Sequence, residues 1–203
     1  MAKRTKIDRG ADELARADAR LARSARPVGD HPGFGAIAWA SKVGDQPPLR
    51  TLCALVIAGG IAARSPRLFR AGLRMLAAHE VATLAKDFVK ARVDRTRPRT
   101  ARNHAERKPR AGRSRSKELR SFPSGHSSGS MAVARAFARE FPEYHLPAVA
   151  AAAAVAAAQV PRFTHYGSDV MAGLAIGAAA EAATDLVLAA APPALPEAAL
   201  EAS

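Results

Sequence analysis

A chain of 203 residues, 48% of them apolar, can bury one substantial core but not two ordinary ones. Its net charge of +13 and pI near 11.1 call for an anionic partner, without choosing among nucleic acid, lipid headgroups and phosphorylated small molecules. The single cysteine, Cys53, lies in an apolar run; it excludes disulfides, thiolate metal clusters and CxxC redox pairs within one chain and reads as a small buried hydrophobe.

Along the chain, Lys3, Arg4 and Lys6 are followed by Ile7-Asp8-Arg9-Gly10 without an apolar stretch, so no cleaved secretory signal is expected. Ile7, Leu14 and Leu21 recur at heptad spacing among charges and predict a surface or interfacial helix, packed through one thin stripe, up to residue 32. Pro27, Gly29, Pro32 and Gly33 break it. Phe34 to Lys42, with the lone Trp39, makes a second entry segment, and Gly44 through Pro48 a turn. An uncharged stretch from Thr51 to Ala63 follows, then a long helical pattern from Pro66 to near Val93 with Leu68, Leu73, Leu76, Val81, Leu84, Phe88 and Val89 at helical spacing. Between Lys90 and Arg120 the acids are Asp94, Glu106 and Glu118 alone, so the excess positive charge is local and points to a site or a loop. Helices are predicted from Ser127 to Phe141, Leu146 to Val160 and Ser168 to Ala191, and residues 192–203 read as a disordered tail of Ala, Pro and Glu. No internal repeat or sustained strand alternation is present, and the class is all-α. The expected division is a charged N-terminal helix and linker over 1–48, a helical domain over 49–191, and the tail.

A spanning helix needs roughly 18 to 20 consecutive apolar residues. No run reaches that length without a charge, Leu146 to Pro161 coming nearest. Helices lining a polar site can carry inward charges and still span, so composition leaves membrane insertion open.

Three segments share one chemical theme. In Lys90-Ala-Arg-Val-Asp-Arg-Thr-Arg97-Pro98, a cation ends the long helix and another follows before a proline, so both can face one anion. In Phe122-Pro123-Ser124-Gly125-His126, a tight turn opens the next helix; free N–H groups and the positive helix end make an anion cradle with an imidazole at its lip. In Arg162-Phe-Thr-His165-Tyr-Gly-Ser-Asp169, a histidine stands four residues before a carboxylate that can orient it. Together they hold the parts of a phosphoryl transfer that needs no metal: cations and N–H groups for the oxygens, one histidine to attack phosphorus, another to protonate the leaving oxygen. Elsewhere, His79 and Glu80 read as a polar inward face rather than metal ligands, and His104 and His145 as solvated.

The segments resemble the signature of the type 2 phosphatidic acid phosphatase and vanadium haloperoxidase superfamily, KxxxxxxRP, PSGH and SRxxxxxHxxxD. Lys90 with Arg97-Pro98 matches the first element, Pro123 to His126 the second, and His165 with Asp169 the end of the third; the similarity spans residues 50 to 190. The resemblance implies a bundle of about five to six helices with the active site where helix ends converge. It implies His165 as nucleophile through a phosphohistidine, Asp169 as its orienting group and His126 as general acid. Lys90, Arg97, Ser124, Gly125 and an arginine of the third element would bind phosphate oxygens. It further implies no metal or cofactor, a lipid phosphate or isoprenoid pyrophosphate as substrate, and a place in a bacterial inner membrane; it leaves the oligomeric state open.

One departure matters. Six residues before His165, where the family keeps arginine, stands Gln159, preceded by Ala158. Arg162, about one turn away, either takes over the role or the arginine is lost and activity weakened. The competing reading from another class is a nucleic-acid-binding protein using the arginine-rich loop, which leaves the histidines unexplained and shows no helix-turn-helix or zinc pattern. A vanadate-dependent halide oxidase on the same fold is disfavoured by the short chain and apolar helices.

Overall fold

The computed structural model describes residues 6–190, so the expected tail at 192–203, together with Lys3 and Arg4, lies outside the described residues. Seven α-helices are present among them: α1 (Lys6–Gly29), α2 (Phe34–Ala40), α3 (Gln46–Ala62), α4 (Pro66–Lys90), α5 (Gly125–Glu140), α6 (His145–Ala157) and α7 (Gly167–Ala190). The all-α bundle follows the sequence pattern; the N-terminal segment is a helix as expected, and the second entry segment forms one more, α2.

Helix boundaries follow local chemistry. α3 starts at Gln46, earlier than Thr51, because Pro47 and Pro48 sit in its first turn, where a missing N–H costs nothing. Ser65 caps α4 by accepting from the Leu68 N–H at 3.3 Å, with Pro66 just inside. α4 ends at Lys90 rather than Val93, because the chain then turns into a short antiparallel pair, β1 (Val93–Asp94) with β2 (Arg110–Ala111). That pair was not legible as alternation, being two residues long on each side. Arg95 continues it as a parallel bridge to Arg120, its N–H donating to the Leu119 carbonyl and its carbonyl accepting from the Ser121 N–H. The basic loop is thereby a folded platform.

The core lies between α3, α4, α5 and α7 and holds Leu49, Cys53, Met75, Ala78, Ala82, Val133, Ala136 and Ala180. Small residues let these helices close up. A Cβ at Gly173 would come within 2.5 Å of the Ser124 carbonyl oxygen, and one at Gly177 within 2.3 Å of that of Ser128. Glycine at these two places seats α7 against the first turns of α5, which carry the second motif. At the other end, buried Glu181 accepts from Arg135 at 2.9 Å and Arg139 at 2.6 Å, tying α5 to α7.

α1 does not pack through its heptad leucines. Leu14 and Leu21 are exposed, and the face turned to the bundle carries Asp12, Ala15, Asp18, Ala19 and Ala22. Two ion pairs tie this face down: Asp12 pairs with Lys108 and Asp18 with Arg95.

Candidate active site

The C-terminal end of α4, the platform after it, the start of α5 and the loop before α7 meet around a cavity of about 540 Å³. Lys90, Arg97, Gly125, His126 and His165 line it, and residues 44–48 at the head of α3 close the wall beside His126. Segments far apart in sequence are thus brought to one place.

The two imidazoles face each other there, with ring centroids 6.3 Å apart and planes at 65°. His165 is almost fully buried, and its Nδ1 lies 2.7 Å from the Ser121 carbonyl oxygen. A carbonyl only accepts, so Nδ1 carries the proton and the Nε2 lone pair is left for the cavity. Burial holds the His165 imidazole below its ordinary value. His126, in the first turn of α5, is pushed down to about 4, chiefly by burial. Its Nε2 approaches Asp45 Oδ1 to 2.9 Å, but the two are not aligned as a hydrogen bond, so this buried nitrogen has no hydrogen-bond partner.

Lys90 is buried at the end of α4, and its ammonium donates to the Arg120 carbonyl at 2.7 Å. Burial, followed by the charges of Arg97 and Lys86, lowers it to about 7. Arg97 donates through Nε to the Lys117 carbonyl at 2.9 Å, which fixes its guanidinium on the cavity rim. An anion arriving between Lys90 and Arg97 would favour the charged form of Lys90.

Three of the expected site residues stand outside the cavity lining. Ser124 is fully buried as the cap of α5, its Oγ accepting from the Ser127 N–H at 3.3 Å and the Ser127 hydroxyl at 2.9 Å. Asp169 lies beneath His165, with Oδ2 at 3.8 Å from Nδ1, beyond hydrogen-bonding reach. Its carboxylate instead accepts from Arg95 Nη1 at 2.6 Å, the Ser121 hydroxyl at 2.6 Å and the Tyr166 N–H at 2.9 Å. Arg162 turns aside and donates to Ser41 Oγ at 2.9 Å and to Gln159 Oε1 at 3.3 Å.

Gln159, where the resemblance expects arginine, is fully buried. Its Oε1 also accepts from the Thr164 hydroxyl at 3.1 Å, and its carbonyl takes the N–H groups of Thr164 and His165. It therefore organises the loop that carries His165.

Sequence reasoning missed Arg95. Its guanidinium is fully buried between two carboxylates, Asp169 at 2.6 Å and Asp18 of α1 at 2.6 Å, and also donates to the Ser168 hydroxyl. The one signal for it was its position two residues before Arg97 in the first motif. For Asp18 there was none, since its partners are distant in sequence. Among the described residues no cluster of His, Cys, Asp and Glu is arranged to hold a metal ion.

Comparison with known proteins agrees with this geometry. The lipid A 1-phosphatase of Rhizobium johnstonii is 48% identical over 58 residues, 29% of this chain and 24% of that protein. The lipid A 1-phosphatase of Rhizobium etli is 47% identical over 57 residues, 28% of this chain and 25% of that protein. The matched segments thus span about a quarter of those relatives. In fold, the chain resembles the crystal structure of a transmembrane PAP2 type phosphatidylglycerolphosphate phosphatase from Bacillus subtilis, with a TM-score of 0.63 and 18% identity over 89% of this chain and 88% of that one. The sequence profile of the PAP2 superfamily matches residues 71–189, more than half of the chain and all three motif segments, and the chain belongs to that superfamily.

Proposed function

We propose that the protein is a phosphohydrolase of lipid phosphates that works through a phosphohistidine. The carrying observation is the pair of imidazoles 6.3 Å apart across a cavity whose rim holds Lys90 and Arg97. In this reading, Nε2 of His165 attacks phosphorus, the P–N bond forming as the P–O bond to the alcohol breaks. Lys90, Arg97 and the first N–H groups of α5 at Gly125 hold the charged oxygens. His126 gives its proton to the departing oxygen, then takes one from the water that cleaves the P–N bond. In the empty cavity His126 is neutral at neutral pH; an arriving phosphate favours its cation, and a monoanionic ester brings the proton with it. Ser124 serves by fixing the turn, Asp169 by holding Ser121 and the loop, and Arg162 by steadying the loop through Gln159.

A lipid substrate is supported by a second, apolar cavity of about 370 Å³ between α3, α5 and α6, lined by Leu49, Leu52, Val56, Met75, Val133 and Val155. It adjoins the polar cavity along residues 43–49, where Val43 faces one and Gly44 the other. A bilayer location is supported by Leu55 and Ile61 on α3, Leu84 and Phe88 on α4, and Leu186 and Val187 on α7, all exposed. Among the described helices, α7 is long and apolar enough to cross a membrane. The names of the relatives point to the same substrate class. Arg95, Arg97, Arg99 and Lys108 of the basic loop have partners within the fold, while Arg110, Arg113 and Arg115 are exposed; the facing histidines favour the hydrolase reading over a nucleic-acid one.

The test is phosphate release by the full chain in detergent from phosphatidate, a lipid A 1-phosphate, an isoprenyl pyrophosphate and a soluble ester, with EDTA present. Release from a lipid phosphate that survives chelation and vanishes in His165→Ala is expected. No release from any of them, or full activity in His165→Ala, overturns the proposal.

A further inference from the structure

The catalytic assignments leave one face of α4 unexplained. His79, Thr83, Lys86 and Lys90 follow one another at spacings of four, three and four, so all point the same way, and all four are at least nine-tenths buried. Both ring nitrogens of His79 and the hydroxyl of Thr83 lack hydrogen-bond partners. Buried polar atoms are ordinarily satisfied, and each one left bare has a free-energy cost. Three unsatisfied groups on one stripe therefore point to a missing ligand.

His79 and Lys86 also line the active-site cavity. Lys86 uses one ammonium proton on Asp87 Oδ1, at 2.8 Å, and keeps two others. It lies one turn before Lys90, about 6 Å along the axis. Gly125 lies beside this part of the cavity, where a Cβ would make ordinary contact with the Lys86 side chain at 3.5 Å. The cavity, at about 540 Å³, is far larger than one phosphate requires.

We infer that His79 and Lys86, with Thr83 between them on the same stripe, mark a second anion subsite that takes another phosphate of the same substrate while the first sits between His126 and His165. The position of the first phosphate rests on the hydrolase reading above. At the second, Lys86 supplies charge, while His79 brings a ring N–H that has no partner within the fold. Selectivity for doubly phosphorylated headgroups arises on this stripe.

Calorimetry on the full chain in detergent, with orthophosphate, methylenebisphosphonate (two joined phosphates) and fructose 1,6-bisphosphate (two separated ones), tests this without turnover. At least one two-phosphate probe is expected to bind about tenfold more tightly than orthophosphate, and which one does so distinguishes a diphosphate from a two-ended headgroup. Lys86→Met and His79→Leu are expected to bring that ratio below about twofold, and Lys86→Arg to keep it. Lys86→Met carries the test should His79→Leu fail to fold. A wild-type ratio near one, or a ratio unchanged in Lys86→Met, overturns the subsite. Absence of phosphate release with the binding ratio intact would instead overturn the hydrolase reading and leave the subsite standing.

Discussion

The Nδ1 of His165 sits 2.7 Å from the backbone carbonyl of Ser121, and this contact, rather than one to Asp169, fixes which ring nitrogen is free. A side-chain substitution cannot remove a carbonyl. His165→Ala is therefore expected to lower kcat by roughly a thousandfold or more, whereas Ser121→Ala, which loses only the hydroxyl bond to Asp169, should cost about tenfold. Single-turnover phosphate release measures both. Equal losses would mean that the carboxylate acts through the Ser121 hydroxyl and not merely beneath it.

The pH profile follows from Lys90 and His165. Lys90 must be charged to bind phosphate, and in the free protein it loses its proton as pH rises through about 7. His165 must be neutral to attack, and burial delays its protonation to below the ordinary 6.5. The profile of kcat/KM is thus expected to fall on the alkaline side near pH 7 and to hold on the acid side to below 6.5. Lys90→Arg keeps the charge at all these values, so its alkaline limb should move up by more than about one pH unit. An unmoved limb would mean that the proton the ester brings to His126, rather than the charge of Lys90, sets it.

Arg95 ties α1 to the site. Arg95→Ala leaves Asp18 and Asp169 buried without their cation, and an expected loss of about 3–5 kcal/mol follows. Denaturant or thermal unfolding in detergent reads it. Adding Asp18→Asn to Arg95→Ala should recover part of the loss, since one unpaired charge is then gone; no recovery would contradict a coupled cluster.

Arg162 and Gln159 can be separated by activity. With Arg162 bonded to Ser41 and Gln159, Arg162→Ala should cost about tenfold by loosening the loop, well short of the loss in Arg97→Ala, about a hundredfold or more. Gln159→Arg inserts a charge at a fully buried position that holds Thr164 and His165, and lower activity is expected. Higher activity in Gln159→Arg would mean that the family's missing charge limits the rate.

Much of this was legible in the chain because it is local. Periodicity marked the later helices, Pro66 and Pro123 marked turns, and three short motifs named residues that the fold gathers in or beside one cavity. Periodicity misled at α1: Leu14 and Leu21 keep heptad spacing yet stay largely exposed, because the helix docks through Ala15, Ala19 and Ala22 and the ion pairs of Asp12 and Asp18.

The sequence by itself determined the all-α class, the cations at 90 and 97, and the two histidines, since backbone preference and motif spacing are written over a few neighbouring residues. Only the tertiary structure decided which of 31 basic side chains meet an anion site and which are absorbed by carboxylates and carbonyls. Arg95 is clamped between Asp18 and Asp169, and Arg162 turned to Ser41, because partner choice depends on distances between segments up to 121 residues apart. Those distances are set by how closely the small residues of α5 and α7 let the helices approach.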